Sequence, residues 1–141
     1  MSIRALLAAA AGGEVVDSGA TWTERTSSGS RNWATITSSS DGTKLAAGAY
    51  NGYIYTSSDG GATWTERTSS GARYWATITS SSDGTKLAAA SGGNVHTSSD
   101  GGATWTERTS SGSRNWADIT SSSDGTKLAA AVYGGYVYTS P

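Results

Sequence analysis

The sequence predicts an all-β chain of four-stranded antiparallel blades, each about 42 residues long and about three to three and a half in number. Three observations carry that expectation. Trp22, Trp64 and Trp105 lie 42 and then 41 residues apart, and Trp33, Trp75 and Trp116 keep the same spacing. Residues 57–89 and 98–130 match at all but three of 33 positions: Ala72 stands against Ser113, Tyr74 against Asn115 and Thr77 against Asp118. Apolar residues fall in short, β-branched runs, whereas two-helix repeats of similar period need long stretches of 3.6-residue periodicity.

The strands follow in order within one repeat. Residues 33–38, W-A-T-I-T-S, read as a first strand closed by the turn Ser39, Ser40, Asp41, Gly42. Residues 44–50 form a second strand, whose small side chains suit a sheet squeezed between neighbours. Residues 53–57 form a third, with Tyr53 and Tyr55 on one face and Ile54 on the other. Residues 63–68 form a fourth, with Trp64, Glu66 and Thr68 on one face, and Ser69, Ser70 and Gly71 lead across to the next blade. A period near 42 with four short strands is that of a β-propeller blade.

Between the third and fourth strands, residues 57–64 read S-S-D-G-G-A-T-W, and the same eight letters return at 98–105. The N-terminal segment keeps the second part as Asp17, Ser18, Gly19, Ala20, Thr21, Trp22. This S-x-D-x-G-x-T-W pattern resembles the Asp-box, the hairpin turn of BNR-type β-propellers such as sialidases, sortilin-like receptors and photosystem II assembly factors. The resemblance implies a structural role at the outer part of each blade for Asp17, Gly19, Thr21 and Trp22, for Asp59, Gly61, Thr63 and Trp64, and for Asp100, Gly102, Thr104 and Trp105. The residue chemistry agrees: Asp accepts hydrogen bonds from its own loop, glycine takes φ > 0, the Thr hydroxyl ties the turn, and the Trp ring covers the hairpin. If buried, Trp64 is worth about 3–5 kcal/mol.

The template divides the chain into an N-terminal partial blade at 1–30 with second to fourth strands, complete blades at 31–72 and 73–113, and a C-terminal partial blade at 114–141 with first to third strands. The ends are complementary. Residues 20–26 match the strand missing after 136–139, so strand exchange completes the last blade and leaves 3–16 as a surplus hairpin. Open blade faces invite association. The expected partner is therefore another copy of this chain, with a six-bladed dimer favoured and eight- or nine-bladed rings as alternatives. Near-identical repeats point to recent amplification or to an engineered array.

Composition narrows the function classes. Gly, Ser, Thr and Ala dominate the 141 residues, Phe and Cys are absent, and six Trp and seven Tyr supply the bulk that aliphatics usually provide. The net charge of −1 comes from scattered single charges, so neither nucleic acid nor an anionic membrane is an expected partner. Without cysteine there is no disulfide framework and no thiolate zinc site. The apolar run within residues 1–11 is too short to span a bilayer and weak as a signal peptide. L-A-A-A-A-G-G at 7–13 instead matches L-A-A-A-S-G-G at 87–93 and reads as a repeat strand. Localisation stays open.

The best binding candidates are the triplets Arg31, Asn32, Trp33; Arg73, Tyr74, Trp75; and Arg114, Asn115, Trp116, each entering a first strand. An arginine holds a carboxylate bidentately and an indole face stacks on a sugar or peptide group, which gives a multivalent, lectin-like alternative. The plainer reading makes the Trp blade-packing bulk and the Arg a solvated loop charge. Asp41, Asp83 and Asp124 sit singly in S-S-S-D-G-T-K-L turns that lack the several oxygen ligands calcium needs. His96, the sole histidine, replaces the Tyr of the other repeats and assembles no triad or metal site. The resemblance to sialidases implies an arginine cluster, a Tyr/Glu nucleophile pair and an Asp acid/base, but the arginines and Glu24, Glu66 and Glu107 are equivalent copies. An active site needs groups in different environments. The expectation is a noncatalytic scaffold without metal or cofactor.

Overall fold

The computed structural model describes residues 19–141 and folds them into three blades. The first comprises β1 (Trp33–Ser38), β2 (Leu45–Ala49), β3 (Ile54–Ser57) and β4 (Thr65–Arg67). The second comprises β5 (Trp75–Ser80), β6 (Leu87–Ser91), β7 (Val95–Ser98) and β8 (Thr106–Arg108). The third holds β9 (Trp116–Ser121), β10 (Leu128–Val132) and β11 (Val137–Ser140). Each is an antiparallel meander in chain order, and the third lacks a fourth strand among the described residues. The expected strand and surplus hairpin within residues 3–16, like Asp17, lie outside the described residues. No described helix is long and apolar enough to cross a membrane.

A bulge at the start of each first strand decides which side chains meet the neighbouring blade. Trp33 pairs with Ala49 and Thr35 with Gly48, so Ala34 is an extra residue; the same shift separates Trp75 from Thr77 and Trp116 from Asp118. Strict alternation would put residues three apart on opposite faces, and the bulge returns them to the same one. Trp75 and Ile78 accordingly share one apolar cluster, and Trp116 and Ile119 share another. The bulge was not legible in the plain alternation of W-A-T-I-T-S.

Those two clusters are the core, and both lie between blades. Ala46 and Ile54 of the first blade pack on Trp75, Ile78, Leu87 and Ala89 of the second. Ala88, Ala90 and Val95 on the other side of the second blade pack on Trp116, Ile119 and Ala130 of the third. Alanines on both faces of the second strands let the neighbouring indoles approach. First strands run side by side, β1 by β5 and β5 by β9. Polar links repeat the relation: Ser40 N donates to Ser82 O at 2.8 Å, and Ser82 N to Ser123 O at 2.7 Å. Lys44 Nζ donates to Asp83 O, and Lys86 Nζ to Asp124 O, both at 3.0 Å.

Two differences from the expected strands have local causes. The fourth strand starts at Thr65 instead of Thr63 because Thr63 and Trp64 are drawn into the preceding turn. It ends in a 3-10 turn, Thr68–Ser70, with counterparts at Thr109–Ser111 and Thr26–Ser28. Residues 21–25 form no strand, for no described third strand lies beside them to pair with.

Candidate functional site

The S-x-D-x-G-x-T-W turns are self-contained hydrogen-bond systems. Asp59 accepts from Thr63 N at 2.8 Å, Thr63 Oγ1 at 2.6 Å and Ser57 Oγ at 2.8 Å. Asp100 repeats this with Thr104 N at 2.9 Å, Thr104 Oγ1 at 2.6 Å and Ser98 Oγ at 2.8 Å. The indole N–H groups of Trp64 and Trp105 donate to Gly61 O and Gly102 O at 3.0 Å. Hydrogen bonds to the charged form, led by the Thr hydroxyl, lower the pKa of Asp59 and of Asp100 to about 2. Gly19, Thr21 and Trp22 belong to the same pattern, and the Asp17 that completes it lies outside the described residues.

The D-G-T-K turns work alike. Asp41 accepts from Ser39 Oγ at 2.6 Å, Thr43 N at 3.0 Å and Thr43 Oγ1 at 2.8 Å, with Asp83 and Asp124 in the same role. Ser39 leads the bonds that bring Asp41 to about 2, and Ser81 and Ser122 hold Asp83 and Asp124 lower still. Each acid is thus spent on its own loop. Among the described residues no three His, Asp or Glu side chains gather as a metal site requires.

The triplets are built into aromatic stacks. Trp33 meets Tyr55 edge to face at 5.2 Å and Trp64 at 6.3 Å, while the Arg31 guanidinium lies 4.4 Å from the Tyr55 ring centre. In the second blade Trp75 meets His96 at 5.1 Å and Trp105 at 6.1 Å. In the third, Trp116 meets Tyr138 at 5.4 Å, and Arg114 covers Tyr138 at 4.4 Å. Cation–π contact and backbone bonds engage the arginines: Arg73 Nε donates to Ser70 O and Arg114 Nε to Ser111 O. Trp75 and Trp116 are buried between blades, so their indole faces are closed to an incoming ligand. The solvent-facing aromatic pair is instead Tyr50 and Tyr74, with ring centres 4.6 Å apart across the first blade boundary. Sequence reasoning included Tyr74 and missed Tyr50, which reaches it from the loop between β2 and β3.

Asp118 is the acid that breaks the repeat within the main blades. It accepts from Thr77 Oγ1 at 2.8 Å and from Ile119 N at 2.9 Å, tying β9 to β5.

The remaining surfaces are the two open ends of the stack. Ile36 is 64% exposed, while its counterparts Ile78 and Ile119 are 6% and 5% exposed beneath the preceding blade. Val137 is 71% exposed, while Ile54 and Val95 in its place are 0% and 6% exposed beneath the following blade. The first blade shows what the other two hide on one side, and the third blade shows what they hide on the other.

No protein-family model matches the sequence, and no curated protein sequence does. Solved structures share the fold. YCF48 bound to D1 peptide superposes with a TM-score of 0.64 at 15% identity, over 78% of this chain and 38% of that one. The Cps50 (Swd1) β-propeller domain of Myceliophteria thermophila gives 0.63 at 15% identity, over 78% and 35%. The GH74 enzyme of Niastella koreensis gives 0.57 at 24% identity, over 69% and 14%. This chain therefore spans 38% or less of the length of these neighbours. At such identity the likeness is one of architecture, and it agrees with the sheet topology: the fold is that of a β-propeller, with about three blades in this chain.

Proposed function

We propose that this chain is a noncatalytic β-propeller scaffold that associates with itself head to tail, closes a ring and offers its rim as an interaction surface. One observation carries the reading: Ile36 stands exposed in the place where Ile78 and Ile119 are buried. The third blade carries the surface that buries such an isoleucine, so a second copy continues the stack without a new kind of contact. The contact is heterologous, and a heterologous contact closes as a ring when its rotation permits. Two copies then give six blades and three give nine. The S-x-D-x-G-x-T-W turns act as Asp-boxes that clamp each blade, and the noncatalytic reading rests on acids committed to their own turns. Near-copy blades fit recent amplification or an engineered array.

The test is mass in solution. Sedimentation equilibrium is expected to give a multiple of 14.3 kDa, and Ile36→Glu to give a folded species of 14.3 kDa. A parent chain that stays at 14.3 kDa across the concentration range overturns the reading.

The exposed Tyr50–Tyr74 pair favours a second reading, a lectin-like rim for glycans or carboxylates. Arg73 lies beside it, its backbone bridged to Gly52 through N–H···O bonds of 3.0 and 3.2 Å. Glycan-array binding that is lost in the Tyr50→Ala, Tyr74→Ala double variant is the outcome this reading expects.

A further inference from the structure

We propose that Tyr50, Asn51 and Tyr74 form a subsite for a neutral glycan at the boundary of the first two blades, where one pyranose ring stacks on the phenols and the Asn51 amide bonds its hydroxyls. The proposal rests on the lectin-like reading above and names its ligand and its place.

Two departures from the repeat meet at this boundary. Tyr74 is one of the three residues at which 57–89 and 98–130 differ, and Asn115 takes its place one blade later. Tyr50 belongs to a hairpin loop, residues 49–53, that is one residue longer than its counterpart at 91–94, which turns through Gly92 and Gly93. Of the two described boundaries, only the first therefore carries a tyrosine on both sides. The two rings lie 4.6 Å apart at an interplanar angle of 55°, and Tyr50 is 51% and Tyr74 45% exposed.

The backbone holds the pair in place before any ligand arrives. Arg73 N donates to Gly52 O at 3.0 Å and Gly52 N to Arg73 O at 3.2 Å, which bridges the loop of one blade to the entry of the next. Little freedom is then left to lose on binding, and a tyrosine has only two side-chain torsions to fix.

Asn51 supplies the polar half. Its loop follows the same path as residues 132–136: Tyr50 N donates to Asn32 O at 2.8 Å as Tyr133 N does to Asn115 O at 2.9 Å, and Gly52 N donates to Ala49 O as Gly135 N does to Val132 O. The third blade places Gly134 at φ +68° on this path, whereas the first places Asn51 at φ +53°, the only non-glycine with positive φ among the described residues. A side chain is thus kept where glycine is the easier choice, and it is exposed directly after Tyr50. An amide both donates and accepts, which matches two neighbouring hydroxyls of a sugar.

Charge separates a neutral sugar from a carboxylate. The Arg73 guanidinium folds back over Gly71, with Nε donating to Ser70 O at 3.4 Å, so the cation of this triplet is turned to its own loop. A glucose-type ring, with its hydroxyls equatorial, lays an apolar C–H face on the phenols and turns its polar edge to the amide.

Nuclear magnetic resonance titration of the isotope-labelled chain tests the subsite. Maltohexaose and cellohexaose are expected to shift the amide signals of residues 50–52 and 74 and to saturate at one oligosaccharide per chain, while hexagalacturonate leaves those signals in place. Tyr74→Asn, which installs the residue the third blade carries, is expected to weaken binding about tenfold or more. Asn51→Gly, the third-blade residue again, is expected to weaken it about fivefold, the worth of one neutral hydrogen bond. Neutral binding that saturates at several sites per chain, or that Tyr74→Asn leaves unchanged, overturns the subsite and leaves the lectin-like rim standing. Binding of hexagalacturonate alone does the same in favour of a carboxylate ligand. A chain that binds none of the three oligosaccharides overturns both.

Discussion

Trp75 meets His96 edge to face at 5.1 Å, where the first and third blades place Tyr55 and Tyr138 against Trp33 and Trp116. His96 is only 3% exposed, and neither its Nε2 nor the Trp75 Nε1 has a hydrogen-bond partner among the described residues. Burial lowers its pKa below 6.5, aided by Arg73, with Glu107 opposing. The unfolded chain therefore binds a proton near pH 6.5 that the folded chain resists, so stability is full above that pH and falls as acid is added. His96→Tyr restores the phenol that reaches a glutamate in the first blade. It is expected to raise unfolding free energy by about 1 kcal/mol at neutral pH and to flatten the profile just below pH 6.5, measured by urea denaturation.

The blade pattern was legible because near-copy repeats expose their own period: Trp33–Ser38 as first strand and the position of each turn follow from spacing alone. What the spacing did not carry was a third-dimensional choice. Ala34 bulges so that Trp33 and Ile36 share a face, and no residue type in W-A-T-I-T-S marks the bulge. The Arg–x–Trp triplets illustrate the same gap. Their chemistry suits a ligand, but whether an indole such as Trp75 faces solvent or the next blade depends on the neighbour's alanines.

A second acid transition follows from the turn aspartates. Asp41, Asp59 and Asp100 have folded pKa values of about 2 against 3.8 ordinarily, because side-chain hydroxyls and backbone N–H groups bond the charged form. Their contribution is full above pH 3.8 and disappears as pH falls through about 2. The Asp59→Asn, Asp100→Asn double variant is expected to melt lower than the parent at pH 6 and to lose less on going from pH 4 to pH 2, by thermal scans at each pH.

Gly61 and Gly102 separate backbone strain from crowding. Both have positive φ, +87° and +90°, and a Cβ at Gly102 would lie 2.9 Å from Thr56 Cγ2, while one at Gly61 would lie 3.3 Å from Leu45 Cδ1. Gly42, at φ +73°, has open space around it. Alanine at any of them incurs a left-handed penalty of about 1–3 kcal/mol. Gly102→Ala is expected to cost most and Gly42→Ala least in denaturant titrations, and equal costs would show that strain alone acts.

Trp75 and Trp33 are the same residue of the repeat in two environments, so together they report what covers the open end. Trp75 is fully buried beneath the first blade, and Trp75→Ala is expected to cost about 3–5 kcal/mol at every protein concentration. Trp64, for which the sequence alone suggested that figure, is only half-buried against Trp33 and is expected to cost less. Trp33 lies at the open face, 36% exposed. Its replacement by alanine is expected to cost less than Trp75→Ala in dilute protein. At concentrations where copies stack, its cost should approach that of Trp75→Ala, because association stabilises the folded form by mass action. Denaturation of both variants across a concentration series measures the difference. A Trp33→Ala cost that does not change with concentration would mean that nothing docks on the first blade.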